Sequence, residues 1–433
     1  MRVRRAAHST FGQLAERLGG AYDATAMSPL CHRYAACDAL VDGPRPLSSD
    51  CLKMFASLRL SRTAAPLIAH AIRQGLRGTW RLLIVAWAIA PSAVNAAPAL
   101  DVVAIDALVQ REMAERNVPG LAVGIVYRGE LVYAKGHGLA DLENDVPVTP
   151  ESVFAIASVS KPVLALGVAR LVDQGKLSWS DPIAKHLPES PPHWRAITLA
   201  HLANHTSGIV RESPAFDGAR VQSEADLLAA TYPVPLDFAT GTKMQYCNIC
   251  YFALAEVISR VSGMPWPAYM DKTMFQPAGM TSTRTTSVEP LVPRRAASYS
   301  WSNGRQQQVP EYKAVRPSGA FLSTVTDMAR LEAALHAGRV VSDATRRVME
   351  TPALLADGAT GKMNPASSGY GLGWEIGELD GRRRLSHGGS LAGFRTIYAR
   401  YPDQGWAVII LANGTEARRI ALEFAIARLL PKP

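Results

Sequence analysis

Three short stretches of the chain carry side chains that can attack a carbonyl or move a proton. The first is the segment 158–161, which reads S-x-x-K with Ser158 and Lys161 at its ends. Residues i and i+3 share a helix face, so Lys161 can reach the Ser158 hydroxyl from one turn further on. Desolvation would leave the lysine as a neutral amine able to take the serine proton. The same spacing also suits a helix cap followed by a solvated lysine, but no other lysine of the chain has a serine three residues before it.

The second stretch is Tyr246-Cys247-Asn248, which lies just before an apolar segment with helical spacing over 249–262. Side chains two residues apart in an extended segment point to the same side. Tyr246 could therefore relay a proton to a leaving group, while Asn248 could bind the substrate or Lys161. The alternative is a core tyrosine followed by an asparagine that caps the helix.

The third stretch is the segment 387–390, which reads H-G-G-S and leads towards the strand that holds Phe394. Glycines in or beside a strand let another backbone approach closely, which would be the use of Gly389. The backbone N–H of Ser390 could then join that of Ser158 in an oxyanion hole, with His387 beside the substrate. The alternative is an ordinary hairpin turn.

Both ends of the catalytic region predict strands, and the part between them predicts helices. The expected elements are a helix at 100–116, a hairpin of LAVGIVY and ELVYAKG around Arg128-Gly129, helices at 158–174 and 249–262, strands FRTIYARY and WAVIILAN, and a last helix at 415–430. This order predicts an α/β (α+β) fold, in which helices flank one antiparallel β-sheet built from both termini, with an inserted, mostly helical subdomain.

The domain boundaries follow from this pattern. Residues 97–433 are predicted to form one domain, whose sheet comes from about 97–157 and 316–433 and whose helical insertion spans about 176–315. Residues 1–96 form an N-terminal extension with a signal peptide.

The ordered set S-x-x-K, Y-x-N and H-G-G resembles the serine β-lactamase and D-alanyl-D-alanine peptidase superfamily, and it is most similar to the class C β-lactamase and family VIII esterase branch. The supporting stretches are HTSG at 205–208, PSGAFLSTVTDMARL at 317–331, YGLGW at 370–374 and HGGSLAGF at 387–394. The resemblance covers about 100–430. It implies an acyl-enzyme mechanism without metal or cofactor, in which Ser158 attacks a carbonyl, Lys161 and Tyr246 move protons, and water frees the acyl group.

One departure from that superfamily bears on the substrate. The third motif of β-lactamases usually begins with lysine, as K-T-G, and here His387 takes its place. Because a cation and a hydroxyl that would hold a β-lactam carboxylate are missing, we expect ester or amide bonds of small substrates to be cleaved better than β-lactams. Arg395 or another arginine nearby could replace the cation. A class C-type β-lactamase, a D-Ala-D-Ala carboxypeptidase or D-aminopeptidase, and an inactive penicillin-binding-like protein stay open as alternatives.

Other classes of function fit the sequence less well. Residues 1–96 carry 12 Lys and Arg against 5 Asp and Glu, and the rest carries 34 against 32, so most of the net charge of +9 precedes residue 97. This distribution gives no basic stripe for a nucleic acid. His201 and His205 have the spacing of a zinc motif, but Leu202 stands where glutamate is required. An α/β-hydrolase would need a histidine after Ser390, and none follows.

The segment 82–90 reads LLIVAWAIA, with basic residues before it and the small-residue stretch PSAVNA after it. A basic flank, a short apolar run and a small-residue end are typical of a secretory signal peptide. We expect cleavage after Ala96 and a periplasmic or secreted protein. About 70 residues precede the signal, which suggests either a later translation start, such as Met54, or a cytoplasmic extension with the apolar run as an anchor.

Only two of the five cysteines, Cys247 and Cys250, lie after residue 96. A C-x-x-C pair can be redox-active or half of a zinc site. Because no second pair and no thioredoxin pattern accompany it, we expect two small buried thiols and a fold held without disulfides.

Overall fold

The computed structural model describes residues 98–286, 290–310 and 316–432. The apolar run at 82–90 and the expected cleavage point therefore lie outside the described residues. Within them, no helix has both the length and the apolar character needed to cross a membrane.

An eight-stranded antiparallel sheet forms the centre of the fold, in the order β3-β2-β1-β13-β12-β11-β10-β9. Its strands are β1 (Gly120–Tyr127), β2 (Glu130–Asp141), β3 (Val146–Pro147), β9 (Gly369–Tyr370), β10 (Glu375–Leu379), β11 (Arg382–Leu391), β12 (Phe394–Tyr401) and β13 (Trp406–Ala412). The pairing of β1 with β13 joins the two ends of the described chain, with Val123 opposite Ile410. The predicted antiparallel sheet built from both termini is confirmed.

Helices cover both faces of this sheet, which explains why every residue of β1 and β13 is buried. Successive side chains of a strand point to opposite faces, so each strand supplies two cores. Ala122 and Ile409 belong to the core that contains Val325 of a covering helix, whereas Val123 and Ile410 belong to the core on the other face.

The helices lie mostly between the two groups of strands, as the sequence predicts. They are α1 (Val102–Arg116), α2 (Ser160–Asp173), α3 (Ile183–His186), α4 (Leu199–Ala203), α5 (Glu224–Thr231), α6 (Ile249–Ser262), α7 (Trp266–Met270), α8 (Gln276–Ala278), α9 (Val325–His336), α10 (Asp343–Met349) and α11 (Arg419–Leu429). Two smaller sheets accompany them, one made of β4 (Phe154–Ala155), β8 (Phe321–Ser323) and β5 (Arg284–Thr285), the other of β6 (Tyr299–Ser302) and β7 (Arg305–Gln308).

The expectation of two free thiols is wrong. Cys247 and Cys250 are both fully buried, but they form a disulfide. The reason is local: the chain turns into α6 at Asn248, and this turn brings the two Cα atoms to 5.5 Å, within the range that a disulfide spans.

The stretch 387–390 also differs from the expectation that it precedes a strand or makes a turn. It lies inside β11, paired with β12, so that Gly389 is opposite Thr396. The hairpin turn comes later, where Gly393 has a φ of +73°. Two adjacent glycines suggested a turn, but their use here is close packing within the strand.

Candidate active site

Ser158 lies in a single 3₁₀ turn, Ala157–Val159, which connects β4 to the start of α2. Its neighbours Ala157 and Val159 are buried, while Ser158 itself is partly exposed. Ala157 has a φ of +50°, a left-handed conformation that costs free energy for a residue with a Cβ. Strain of this kind persists where surrounding contacts hold it, and it is found often at reactive positions.

Lys161 lies one turn later on α2 and is completely buried. Its Nζ atom is 3.4 Å from Ser158 Oγ, and it donates a hydrogen bond of 2.7 Å to the carbonyl of Ser318. The PSGAFL stretch thus holds the amine through a backbone carbonyl, a role that could not be derived from side-chain types.

The surroundings of Lys161 favour the neutral amine. Burial holds the pKa of Lys161 well below its ordinary value of 10.5, and the positive charges of Arg316 and Arg211 lower it further, against the opposing effect of Glu212. A buried amine that has lost its proton offers a lone pair, so the electrostatics suit a base beside the serine.

Tyr246 reaches the same serine from the segment before α6. Its phenol interacts with the Ser158 side chain, and its ring centroid lies 4.7 Å from Lys161 Nζ. Burial raises the pKa of the Tyr246 phenol, although that interaction and the charge of Arg211 act in the opposite direction. The phenol therefore keeps its proton near neutral pH and can donate it.

Asn248, predicted to bind the substrate or Lys161, faces another group. Its side-chain amide donates to Glu212, which in turn forms an ion pair of 2.8 Å with Arg316. Within the described residues, the hydrogen bonds of the Lys161 amine go to Ser158 and Ser318 instead. Asn248 is thus linked to Lys161 only indirectly, because the charges of Glu212 and Arg316 affect the pKa of the Lys161 amine.

His387 is buried beside these groups, with its ring centroid 6.1 Å from that of Tyr246. Its Nδ1 lies 2.8 Å from the carbonyl of Gly388, and because a carbonyl only accepts, Nδ1 carries the proton. Burial lowers the pKa of His387 to about 3, with a further contribution from the charge of Lys161. His387 is therefore neutral near neutral pH.

Gly389 allows β11 to lie directly against the turn that carries Ser158. A Cβ atom at this position would stand 2.1 Å from Thr396 Oγ1 and 2.4 Å from the carbonyl oxygen of Ile156. The Thr396 hydroxyl donates to that same carbonyl at 2.7 Å. Ser390 follows at an exposed position. Because β11 contacts the turn that carries Ser158, it brings the Ser390 backbone beside that turn.

A second arginine, which the sequence does not reveal, lies against the third motif. Arg419, at the start of α11, lays its guanidinium across Gly388, where an added Cβ would be 3.1 Å from both Nε and Nη2. Burial and, to a smaller extent, the charge of Arg395 lower the pKa of Arg419 to about 10. No ion pair within the described residues holds this cation, and its buried Nε has no hydrogen-bond partner there. Arg395 itself donates to the carbonyls of Phe394 and Leu391.

His205 is a second residue whose place the sequence did not reveal, although the HTSG stretch that it opens had been noted. Its ring is fully buried and stacks beside Tyr246 at a centroid distance of 4.5 Å. The zinc-like pair with His201 has no support in the contacts, since His201 Nδ1 faces Thr198 and His205 Nδ1 faces the N–H of Cys247.

The chain matches known proteins over most of the described region. The model of the family described as Beta-lactamase matches residues 105–430. Among curated proteins, the chain is 27% identical to penicillin-binding protein 4* of Bacillus subtilis (strain 168), over 66% of this chain and 66% of that protein. It is 32% identical to esterase EstB of Burkholderia gladioli, over 43% and 52%. The chain thus spans between half and two thirds of the length of these two relatives.

Solved structures agree with the fold. The octameric penicillin-binding protein homologue from Pyrococcus abyssi superposes with a TM-score of 0.68 and 27% identity, over 77% of this chain and 78% of that one. The D-amino acid amidase from Ochrobactrum anthropi SV3 gives a TM-score of 0.64 at 20% identity, over 75% and 97%, which is a likeness of fold alone.

Proposed function

The chain belongs to the beta-lactamase family, and from that premise we propose that it is a serine hydrolase that cleaves ester or amide bonds of small substrates through an acyl-enzyme. The observation that carries the proposal is the pairing of a partly exposed Ser158 hydroxyl with the completely buried amine of Lys161, 3.4 Å away. Burying a lysine for packing alone would lower the stability of the protein, because desolvation destabilises its charged form.

In the first half of the reaction, the Lys161 amine takes the Ser158 proton as Oγ attacks the carbonyl carbon of the substrate. The carbonyl oxygen becomes an oxyanion, which the backbone N–H groups of Ser158 and Ser390 stabilise. Gly389 is needed for this arrangement because only glycine lets β11 approach the serine turn so closely.

When the tetrahedral intermediate collapses, the bond to the leaving oxygen or nitrogen breaks and that atom needs a proton. Tyr246 supplies it, since its phenol is protonated, lies beside Ser158 and is next to Lys161, which can return a proton to it. Water then attacks the acyl-enzyme with the same groups acting in reverse, which releases the acid and restores Ser158.

Arg419 favours a second candidate within this class, a hydrolase for substrates with a carboxylate in the leaving half. A cation that is partly desolvated, close to Arg395 and not paired within the described residues is costly unless an anion joins it. Peptides with a free carboxyl terminus and β-lactams both carry such a group. Arg419 thus offers a cation that can hold a substrate carboxylate in place of the missing lysine of the third motif.

Export of the protein is part of the proposal. The signal-like segment at 82–90 is its basis. The Cys247–Cys250 disulfide supports it, because disulfides persist mainly in oxidising compartments. N-terminal sequencing of the exported protein should give Ala97 as the first residue, and an intact extension would contradict cleavage.

The acyl-enzyme is tested by covalent labelling. Incubation with a fluorophosphonate probe, followed by mass spectrometry of the peptides, should place the label on Ser158. Label on Ser390 or Ser207, or none on the folded protein, would contradict the assignment of the nucleophile. The Ser158→Ala variant is the control and should lose labelling and ester hydrolysis together.

The substrate class is tested by a panel of p-nitrophenyl butyrate, nitrocefin and a D-alanyl-D-alanine peptide. Our expectation is that kcat/KM is highest for the ester, because it needs no hydroxyl in the third motif. If nitrocefin or the peptide exceeds the ester, the carboxylate-directed candidate takes its place.

A further inference from the structure

His205 lies against Tyr246, yet the mechanism proposed above gives it no role. Its side chain is completely buried, and its ring is tilted by 39° to that of Tyr246 at a centroid distance of 4.5 Å. The same ring also contacts Tyr251 and Tyr370, at centroid distances of 5.6 and 5.0 Å. His205 thus fills the space behind the Tyr246 phenol, which lies beside Ser158.

Three contacts from this one residue hold three consecutive positions of the catalytic segment. The His205 carbonyl accepts the N–H of Gln245 at 2.9 Å, and Nδ1 accepts the N–H of Cys247 at 3.2 Å. Between them, the ring packs on Tyr246. The backbone on either side of the tyrosine and the tyrosine ring are therefore fixed by a single histidine.

The contacts define the charge state of the ring. Because Nδ1 accepts a hydrogen bond from the Cys247 N–H, the proton of the neutral imidazole lies on Nε2. Burial holds the pKa of His205 well below its ordinary value of 6.5, and the positive charge of Arg211 lowers it further. Within the described residues, the buried Nε2 has no hydrogen-bond partner. A polar ring held at such a cost needs a reason beyond filling space.

The backbone of His205 adds to that cost. Its φ is +65°, in the left-handed region that a residue with a Cβ rarely adopts. Glycine or asparagine would accept this conformation more easily. Strain that the surroundings maintain points to a functional constraint, here the one that aims Nδ1 and the ring at the segment 245–247.

We propose that His205 is a positioning residue for Tyr246, which holds the phenol where it can pass a proton to the leaving group. The inference rests on the proposed function and adds to it a residue that does not touch the substrate. This role differs from that of a core residue, because the loss of His205 should impair one proton transfer and not the whole site.

The test compares two butyrate esters that form the same acyl-enzyme. Ethyl butyrate has a leaving group that must be protonated, whereas p-nitrophenolate departs without a proton. In the His205→Phe variant, which keeps a ring but loses the acceptor for Cys247, kcat/KM should fall about tenfold or more for the ethyl ester and less than about threefold for the p-nitrophenyl ester. His205→Asn keeps an acceptor near the position of Nδ1 and tolerates the positive φ, so it should recover part of the loss.

A double-mutant cycle with Tyr246→Phe shows whether the effect passes through the phenol. In the Tyr246→Phe background, changing His205 to Phe should alter the rate on the ethyl ester less than about twofold. His201→Phe, four residues earlier, is the matched control and should leave the ratio of the two ester rates unchanged.

Two results would overturn the inference: an equal loss on both esters in a folded His205→Phe and His205→Asn, or a full further loss in the Tyr246→Phe background. Either would make His205 a packing residue. A wild-type protein that neither hydrolyses the p-nitrophenyl ester nor takes the fluorophosphonate on Ser158 would instead contradict the proposed function.

Discussion

The buried amine of Lys161 ties the chemistry of the site to a cost in stability. Its pKa is held far below 10.5 by burial, so the unfolded chain binds a proton that the folded protein does not. Between the folded pKa and 10.5, the free energy of unfolding therefore rises with pH and is lowest where the lysine is charged in both states. Lys161, the proposed base, therefore supports the reaction at a cost to the stability of the fold.

We therefore expect Lys161→Met to be inactive and more stable. The rate on p-nitrophenyl butyrate should fall by about 10³-fold or more, because nucleophile and base act as a unit. The free energy of unfolding at pH 7 should rise by about 1 kcal/mol or more, since an apolar side chain of similar length replaces a desolvated amine. Thermal unfolding at pH 7 and at pH 10.5 measures this, and the gain should shrink at the higher pH. A Met variant less stable than wild type at pH 7 would mean that the contact with Ser318 outweighs the desolvation.

The second prediction at this scale concerns Arg419. Arg419→Gln should lower kcat/KM for 4-acetoxybenzoate, which has a carboxylate in its leaving half, by about tenfold to a hundredfold, the value of one charge-assisted hydrogen bond. The methyl ester of the same compound should be hydrolysed almost unchanged. Arg418→Gln is the matched control because it removes the same charge from an exposed neighbour. Equal losses on both substrates, or equal effects of the two variants, would argue against an anion at Arg419.

The residues of the three motifs could be found from the sequence because each motif is short and local. Their meeting at one point could be inferred only from the family resemblance. Arg419 could not be found, since its contact with Gly388 joins a strand to a helix that starts some thirty residues later. The partner of Asn248 was also missed, because Glu212 lies on an irregular segment that no periodicity describes.

At the scale of elements, the close approach of β11 to the serine turn depends on Gly389. Gly389→Ala should lower kcat/KM on p-nitrophenyl butyrate by about 10²-fold, because the added Cβ must push the strand away from Ile156 and Thr396 and displace an oxyanion donor. The folded variant should still be detectable by its thermal transition.

The control for this change lies on the neighbouring strand. Gly377 of β10 has no atom within 4 Å of an added Cβ, so Gly377→Ala should leave the rate within about twofold. A Gly389→Ala variant with wild-type rate would mean that β11 does not supply an oxyanion donor.

The helices and strands themselves could be predicted well where their periodicity is long. The helix at 249–262 and its end at Gly263 agree with α6, and the hairpin around Arg128-Gly129 agrees with β1 and β2. The last helix is shorter than expected and begins at Arg419. The two glycines of β11, Gly388 and Gly389, could not be placed inside a strand from the sequence. It shows where side chains are absent but not which neighbouring atoms need the space.

At the scale of the molecule, buried histidines make the fold sensitive to acid. The pKa values of His205 and His387 both lie below 6.5, that of His387 at about 3, so below pH 6.5 the unfolded state binds protons that the folded state does not. The free energy of unfolding should then fall as the pH drops from 6.5, by about 1.4 kcal/mol per pH unit for each such histidine. Chemical unfolding at pH 7, 6 and 5 measures the slope, and His387→Asn should make it shallower. A slope that this variant leaves unchanged would show that other groups cause the acid sensitivity.

The Cys247–Cys250 disulfide also depends on how the whole molecule folds, so the sequence did not predict it. Whether two cysteines three apart bond depends on the turn of the backbone and on its burial, neither of which the spacing reveals. The sheet built from both termini could be predicted, because the strands at each end have clear patterns. The order of strands within it came only from the structure.

The central place of β13 has a consequence for how the protein is made. This strand follows all the other strands of the sheet in the sequence and leaves the ribosome after them, yet it lies between β1 and β12 and pairs with both. A product that stops before Trp406 would expose two long apolar strand edges, which are templates for aggregation. A chain that ends before Trp406 should therefore lose its activity entirely, because β1 and β12 each stay unpaired on one side until β13 has been made.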